Sequence, residues 1–206
     1  MRLHYFAWDN NSENDNRACF AGGGRVTNWL QVAPLDQRDP KWRAETLGKS
    51  GSTIGAYGCL VTAFSMLAGV TPPVMNRRMI LNGGYQTGGC PACAATFDVQ
   101  KFYADAPPIL DATLSYPYAP FPAASSRRLV EHLKAGNVAI CEVDINPQNN
   151  THDMHFVLAV SAFGSGDTAN IVINDPWHAD QTTLTPRYGL TLARALVRVI
   201  YYGVST

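Results

Sequence analysis

Hydrophobic positions fall into two regimes along the chain. The first half carries an apolar helical run, Cys59-Leu-Val-Thr-Ala-Phe-Ser-Met-Leu-Ala68, stopped by Gly69. Thr71 then reads as the N-cap of a second helix, 72–81, with Pro72 inside its first turn and Asn82-Gly83-Gly84 at its end. A third helix is predicted over 127–134, capped by Ser125 or Ser126, with Leu129, Val130 and Leu133 on one face and Gly136 closing it. Beyond it the pattern changes to strands at 138–145, 155–162, 171–175 and 194–202, separated by turns at 146–150 and 164–167. Strands joined by short turns predict an antiparallel sheet, and helices ahead of a sheet predict an α+β fold. Residues 2–8 read as an edge strand, so that 1–30 form an N-terminal extension or edge. Residues 29–42 are broken by prolines and irregular, and 85–124 are predicted as loops walling a cleft, with one short helix at 97–104. No repeat, charge block or linker divides the chain, which predicts a single domain over 1–206.

Composition narrows the partners. With 206 residues, 46% hydrophobic and 16% charged, the chain can bury a substantial core. Lys+Arg 16 against Asp+Glu 16 leaves no net charge and no basic stripe, which excludes a nucleic-acid binder. The N-terminus lacks the apolar run of a signal peptide and no stretch reaches the length of a membrane span, so the expected location is cytoplasmic or, by packaging into a particle, virion-associated. Cysteines at 19, 59, 90, 93 and 141 make an odd number: at least one is free or one bond is intermolecular, and a reducing compartment is the simpler reading.

The chemistry centres on Cys59. A loop punctuated by Gly51, Gly55 and Gly58 ends at this cysteine, and a helix begins there. The first N–H groups of a helix have no intrahelical acceptor and its dipole favours negative charge, so a thiol at that tip loses its proton more readily. The glycines allow tight turning and close approach of a substrate chain. The competing reading is a cysteine packed as a small hydrophobe. A thiolate needs a base and the base an orienting partner. Of His4, His132, His152, His155 and His178, His132 reads as a surface residue of its helix and His4 falls in the irregular N-terminus. His155 opens an apolar strand, and Asp175 closes the next one just before Pro176. If the two strands pair as a hairpin, their open ends lie side by side and bring His155 to Asp175. A structural histidine is the alternative.

Gln37-Arg-Asp-Pro-Lys-Trp42, Leu47-Gly48, Thr53-Ile-Gly55 and Gly58-Cys59 ahead of a helix resemble the N-terminal half of papain-like cysteine peptidases, in the branch around the double-glycine, bacteriocin-processing peptidases. Leu133-Lys-Ala-Gly-Asn-Val-Ala-Ile-Cys-Glu-Val143 is similar to that family's helix–glycine–strand element, and His155-Phe-Val-Leu158 and Asn174-Asp-Pro176 resemble its histidine and aspartate motifs. The resemblance covers roughly residues 31–177. It implies a papain-like fold and hydrolysis of a peptide bond through an acyl-enzyme, on a peptide or protein substrate. It also implies Cys59 as nucleophile, His155 as general base and acid, Asp175 as orienting group and Gln37 as oxyanion donor with the Cys59 N–H. Gln37 stands 22 residues before Cys59, farther than in the best-known papain-like enzymes, so Gln31 is a rival. Asn174 is a rival to Asp175.

Cys90-Pro-Ala-Cys93 has no second pair to complete a zinc site and only half the surroundings of a redox dithiol, and His152 with His155 is not at helical spacing, so no metal and no cofactor is expected. Cell-wall peptide cross-links, a leader peptide and a protein precursor are the substrate classes considered, the glycine-rich surroundings of Cys59 suiting a slim Gly or Ala peptide. The other function class is a catalytically silent module of this fold within a phage particle or secretion assembly.

Overall fold

The computed structural model describes residues 31–81, 84–85, 109–111, 121–146 and 153–202. The expectations for 1–30 and for a helix at 97–104 lie outside them, as do His4, Cys19, Cys90, Cys93 and His152. In chain order come α1 (Ile54–Tyr57), α2 (Cys59–Ala68), α3 (Pro72–Leu81), β1 (Ile109–Asp111), α4 (Ala123–Lys134), β2 (Val138–Asp144) and β3 (Met154–Phe163). A 3-10 turn at Gly166–Thr168 precedes β4 (Asn170–Asp175), β5 (Asp180–Thr183), α5 (Leu184–Arg187), α6 (Leu192–Ala195) and β6 (Leu196–Tyr202). The strands form one antiparallel sheet in the order β1-β6-β2-β3-β4-β5. The fold class is α+β.

The sheet has a core on each face, because the two-residue alternation of its strands is apolar on both sides. Val138, Ile140, Phe156, Leu158, Val160 and Ile200 pack with α2, α3, Leu47 and Ile54. Ala139, Cys141, Val157, Ala159, Ile171 and Ile173 pack with α4, α5 and α6. Burying a side chain such as Leu158 or Ile173 contributes about 1.5–3 kcal/mol, so the strands through the middle of the sheet are held from above and below.

Helix α2 is buried on every side, Leu60 through Leu67 without exception, the pattern of a core helix rather than a surface one. Its two hydroxyl residues differ in how they are satisfied: Ser65 Oγ donates to Val61 O at 2.7 Å, and the Thr62 hydroxyl has no partner. Gly69 ends the helix in the left-handed region (φ 64°), its N–H and that of Val70 returning to Met66 and Ser65 carbonyls. α3 leaves at 98° to α2, and among the described residues no single helix is long and apolar enough to cross a membrane.

Several sequence expectations shift. α4 begins four residues early, at Ala123, because Pro122 sits in the extended conformation and already accepts the first helical hydrogen bond from Ser126 N. Ser125 and Ser126 are therefore buried inside the helix instead of capping it. His132 is not a free surface group: its Nε2 contacts the carbonyls of Val138 (3.0 Å) and Tyr202 (2.9 Å) at the end of the sheet. Residues 192–195 are helical, which delays β6 to Leu196, and β1 and β5 were not anticipated from the pattern.

The glycines before Cys59 serve the chain itself. A Cβ on Gly58 would lie 2.4 Å from Ile54 O and 2.8 Å from Ile54 Cγ2, and one on Gly55 would lie 2.8 Å from Arg43 O. The glycines let α1 fold back tightly against Arg43 and against the start of α2, whereas a Cβ on Gly51 would meet nothing within 4 Å. Gly58→Ala should therefore cost about 1–3 kcal/mol by displacing α1 from α2, and Gly51→Ala less than about 0.5 kcal/mol. Equal urea midpoints for the two variants would contradict this account of the turn.

Candidate active site

Strand geometry sets the imidazole and carboxylate side by side. On β3, His155 alternates onto the face of Val157 and Ala159, while Phe156 and Leu158 face α2. Leu158 stands opposite Asn174 on β4, so continuing the register puts Asp175 across from Val157, one diagonal step from His155 on the same face. The His155 Nε2 to Asp175 Oδ1 distance is 2.9 Å, and the side chains are 1% and 0% exposed.

A carboxylate so deeply buried needs compensation, and Asp175 receives four donors. Oδ1 accepts from His155 and from Trp177 N at 2.9 Å. Oδ2 accepts from the Tyr188 hydroxyl at 2.5 Å and from Arg187 Nη1 at 3.0 Å. Burial alone would raise its proton affinity. The hydrogen bonds from His155 and Tyr188, the imidazolium charge and the Trp177 N–H outweigh that and hold the carboxyl well below the usual range. For His155, burial opposes the charged form, yet hydrogen bonds to Asp175 and Cys59 and the charges of both push it up to about 9.

Cys59 is the first residue of α2 and half-buried, and its sulfur stands close enough to His155 to raise the proton affinity of the imidazole. With Nε2 committed to Asp175, Nδ1 is the ring nitrogen left for the sulfur. The first intrahelical bond is Thr62 N to Gly58 O at 2.8 Å, so the N–H groups of residues 59–61 point out of the helix without intrahelical acceptors. No acidic residue in the first turn offsets the positive end of the dipole.

Gln37 is fastened on both sides of this arrangement. Its backbone N–H donates to Pro176 O at 3.0 Å, beyond Asp175, and its side-chain Nε2 donates to Gly55 O at 3.1 Å, ahead of Cys59. The amide is 1% exposed and its Oε1 has no hydrogen-bond partner. Next to it, the Arg38 guanidinium lies 4.5 Å over the Trp177 ring and donates to Trp177 O, pinning the same two segments together. Asp36 and Asp39 accept backbone N–H groups of Arg38 and Lys41, which turns the chain sharply on either side of Gln37.

Four predicted residues, Cys59, His155, Asp175 and Gln37, thus converge at one end of the sheet. The rivals do not: Gln31 is exposed, and the Asn174 amide is occupied by Val32 O and Gln181. His178 is exposed. The other described cysteine, Cys141, lies in the core, where burial pushes its thiol up to about 12. Among the described residues no group of three His, Cys, Asp or Glu side chains is placed to hold a metal ion. Sequence reasoning missed Arg187, Tyr188 and Asp180. The signal was present in Gln181-Thr-Thr183, a β-branched stretch that, read as a strand returning along β4, sets two acidic residues opposite each other and calls for a cation.

No family model, curated protein or solved structure matches the chain.

The paired titration has a sign for stability. His155 has its proton affinity raised by folding, so its contribution is complete below about pH 6.5 and is lost as pH rises through about 9. Asp175 is depressed, so its contribution is present above the ordinary carboxylate range and is lost as pH falls through its lowered value. We expect the unfolding free energy of the wild type, less that of His155→Gln, to decline between about pH 6.5 and 9 by on the order of a few kcal/mol when both are measured by urea denaturation across that range. A difference that stays flat across that window would show that the imidazole gains nothing from its partners.

Proposed function

We propose that the protein is a papain-like cysteine peptidase or amidase. The observation that carries this reading is a half-buried sulfur at a helix tip beside a buried imidazole, which is itself hydrogen-bonded to a buried carboxylate.

In this mechanism the Cys59 thiolate adds to the carbonyl carbon of the scissile amide, and the carbonyl electrons move to its oxygen. The Cys59 N–H and the second N–H of Gln37 Nε2, the first being held by Gly55 O, donate to that oxyanion. The tetrahedral species collapses as the His155 imidazolium gives its proton to the departing amine, leaving a thioester on Cys59. Neutral His155 then takes a proton from water, the hydroxide displaces the sulfur, and the acid product leaves with the thiolate–imidazolium pair restored. Asp175 keeps the ring in the tautomer and orientation each transfer needs. The proton lost near pH 9 from His155 is the one required by the leaving amine, so activity should fall on that side.

The substrate is a peptide or protein. Cell-wall peptides and leader or precursor peptides remain the classes proposed, in a cytoplasmic or particle-associated setting. The glycine-rich approach to Cys59 gives no argument for a slim substrate, since Gly55 and Gly58 are taken up by Arg43 and Ile54.

Iodoacetamide followed by mass spectrometry should label Cys59 ahead of Cys141, with fast labelling persisting below neutral pH and slowing about 10-fold or more in His155→Ala. Cys59→Ala should abolish cleavage of a peptide library with the fold intact, and Gln37→Ala should lower kcat about 10²-fold. Cleavage that survives Cys59→Ala, or Cys59 labelling indifferent to His155, would remove the hydrolase reading.

A further inference from the structure

The sheet register places two carboxylates face to face at the edge of the site: Asp175 on β4 pairs directly with Asp180 on β5. Like charges in that position repel, and Asp175 has no exposed surface through which bulk solvent could screen it. The cation between them is Arg187, at the end of α5. Its Nη1 reaches Asp175 Oδ2 (3.0 Å) and Asp180 Oδ1 (2.6 Å), and its Nη2 reaches Asp180 Oδ2 (2.7 Å). Tyr188, the next residue, is 1% exposed, donates its hydroxyl to the same Oδ2, and tilts its ring 5.9 Å from that of His155.

We propose that Arg187 and Tyr188 are positioning residues for the reaction described above: they clamp Oδ2 of Asp175 so that Oδ1 stays aimed at His155, and Arg187 offsets the charge of Asp180 across the strand pair. The proposal rests on the hydrolase reading and adds a part to it. A carboxylate turns readily about its last bond. Two donors arriving at Oδ2 from one segment, with Trp177 N–H and His155 at Oδ1, leave its plane no freedom. A guanidinium suits this place because its planar fork serves two acceptors at once, which a lysine ammonium does less well.

The charge count gives the device a signature. Asp175 and Asp180 carry two negative charges and the Cys59 thiolate of the proposed ion pair a third, against one positive charge each on Arg187 and the His155 imidazolium; His178 adds a weaker influence on Asp180 from the exposed turn. With a neutral residue at 187, one imidazolium faces two carboxylates and the thiolate. The cluster then takes up a proton at higher pH, and the pH dependence of Cys59 reactivity moves upward as a whole. A residue that merely supports the fold would scale the rate down at every pH alike.

The test is the pH profile of Cys59 alkylation on the full chain, for the wild type, Arg187→Gln, Asp180→Asn, Arg187→Gln with Asp180→Asn, and His155→Ala, with iodoacetamide as the probe. We expect the ratio of rates at about pH 5 and about pH 7.5 to fall about tenfold in Arg187→Gln and to recover largely when Asp180→Asn is added. Asp180→Asn alone, a change at a part-exposed side chain, should move the acid limb to lower pH. That variant keeps the proposal testable if Arg187→Gln fails to fold. The proposal is overturned, with the hydrolase reading intact, if His155→Ala collapses the rate while neither Arg187→Gln nor Asp180→Asn moves the profile. It is overturned as well if Arg187→Gln lowers the rate evenly and Asp180→Asn restores nothing. If His155→Ala leaves Cys59 labelling unchanged, the hydrolase reading fails first and this proposal with it.

Discussion

A carboxylate with no exposed surface is the constraint around which this end of the molecule is built. Removing an ion of that size from water costs several kcal/mol even after relaxation, and the cost is recovered only with well-placed partners. Asp175 has them from three separate segments: an imidazole from β3, a backbone N–H from the turn just beyond it, and a guanidinium and phenol from the end of α5. Ala179 enters the left-handed region (φ 56°) and donates its N–H to Asp175 O, closing the turn that brings Asp180 back opposite. The Gln37 N–H caps Pro176 O from outside. Loss of any of the four donors to its carboxylate leaves a buried charge less well satisfied, so the segments are coupled through one side chain as well as through the apolar core that they share.

The sulfur arrives by a different route. His155 and Asp175 belong to the sheet face covered by α4, α5 and α6, whereas α2 covers the other. Cys59 and His155 meet because both stand at element ends, where the two layers are no longer separated by the sheet. Such a meeting demands that α2 neither slide nor rotate. Burial of every residue from Leu60 to Leu67 provides that, since close-packed interiors have few alternative arrangements. Its start is fixed independently by the Gly58 contact with Ile54, and by Ile54 N and Gly55 N donating to Glu45 and Arg43 carbonyls. The helix tip is thus held from its flank and from its N-terminal side at once.

The sequence was most readable where one interaction dominates locally. Gly69 after an apolar run stops a helix for reasons internal to the backbone, and the structure ends α2 there. The pairing of β3 with β4 followed from one turn and an apolar period, and with it the adjacency of His155 and Asp175. Illegible features were those decided by partners remote in sequence. Arg187 is an exception, with partners only 7 and 12 residues away, and it looks like an ordinary surface charge only as long as 181–183 is not read as a strand. His132 reads as exposed on its own helix and is tied down by a carbonyl of β6, 70 residues away. The resemblance favours Gln37 over Gln31 and Asp175 over Asn174, yet each pair offers the same chemistry locally, and burial and register are what set its members apart in the structure. The glycines misled in a more instructive way, since room for a substrate and room for one's own backbone leave the same mark on a sequence.

Gln37 is a residue whose placement stability does not explain. Its Oε1 is buried without a donor, a condition that typically costs about 1–3 kcal/mol, and its one side-chain bond, to Gly55 O, is worth about 1 kcal/mol in return. An apolar residue of similar volume would avoid the loss and leave the backbone anchor to Pro176 untouched. What such a residue would remove is the remaining amide N–H, the one not engaged by Gly55 O. On the proposed mechanism, a polar group held at a net cost makes physical sense, because the charge that it meets develops only transiently.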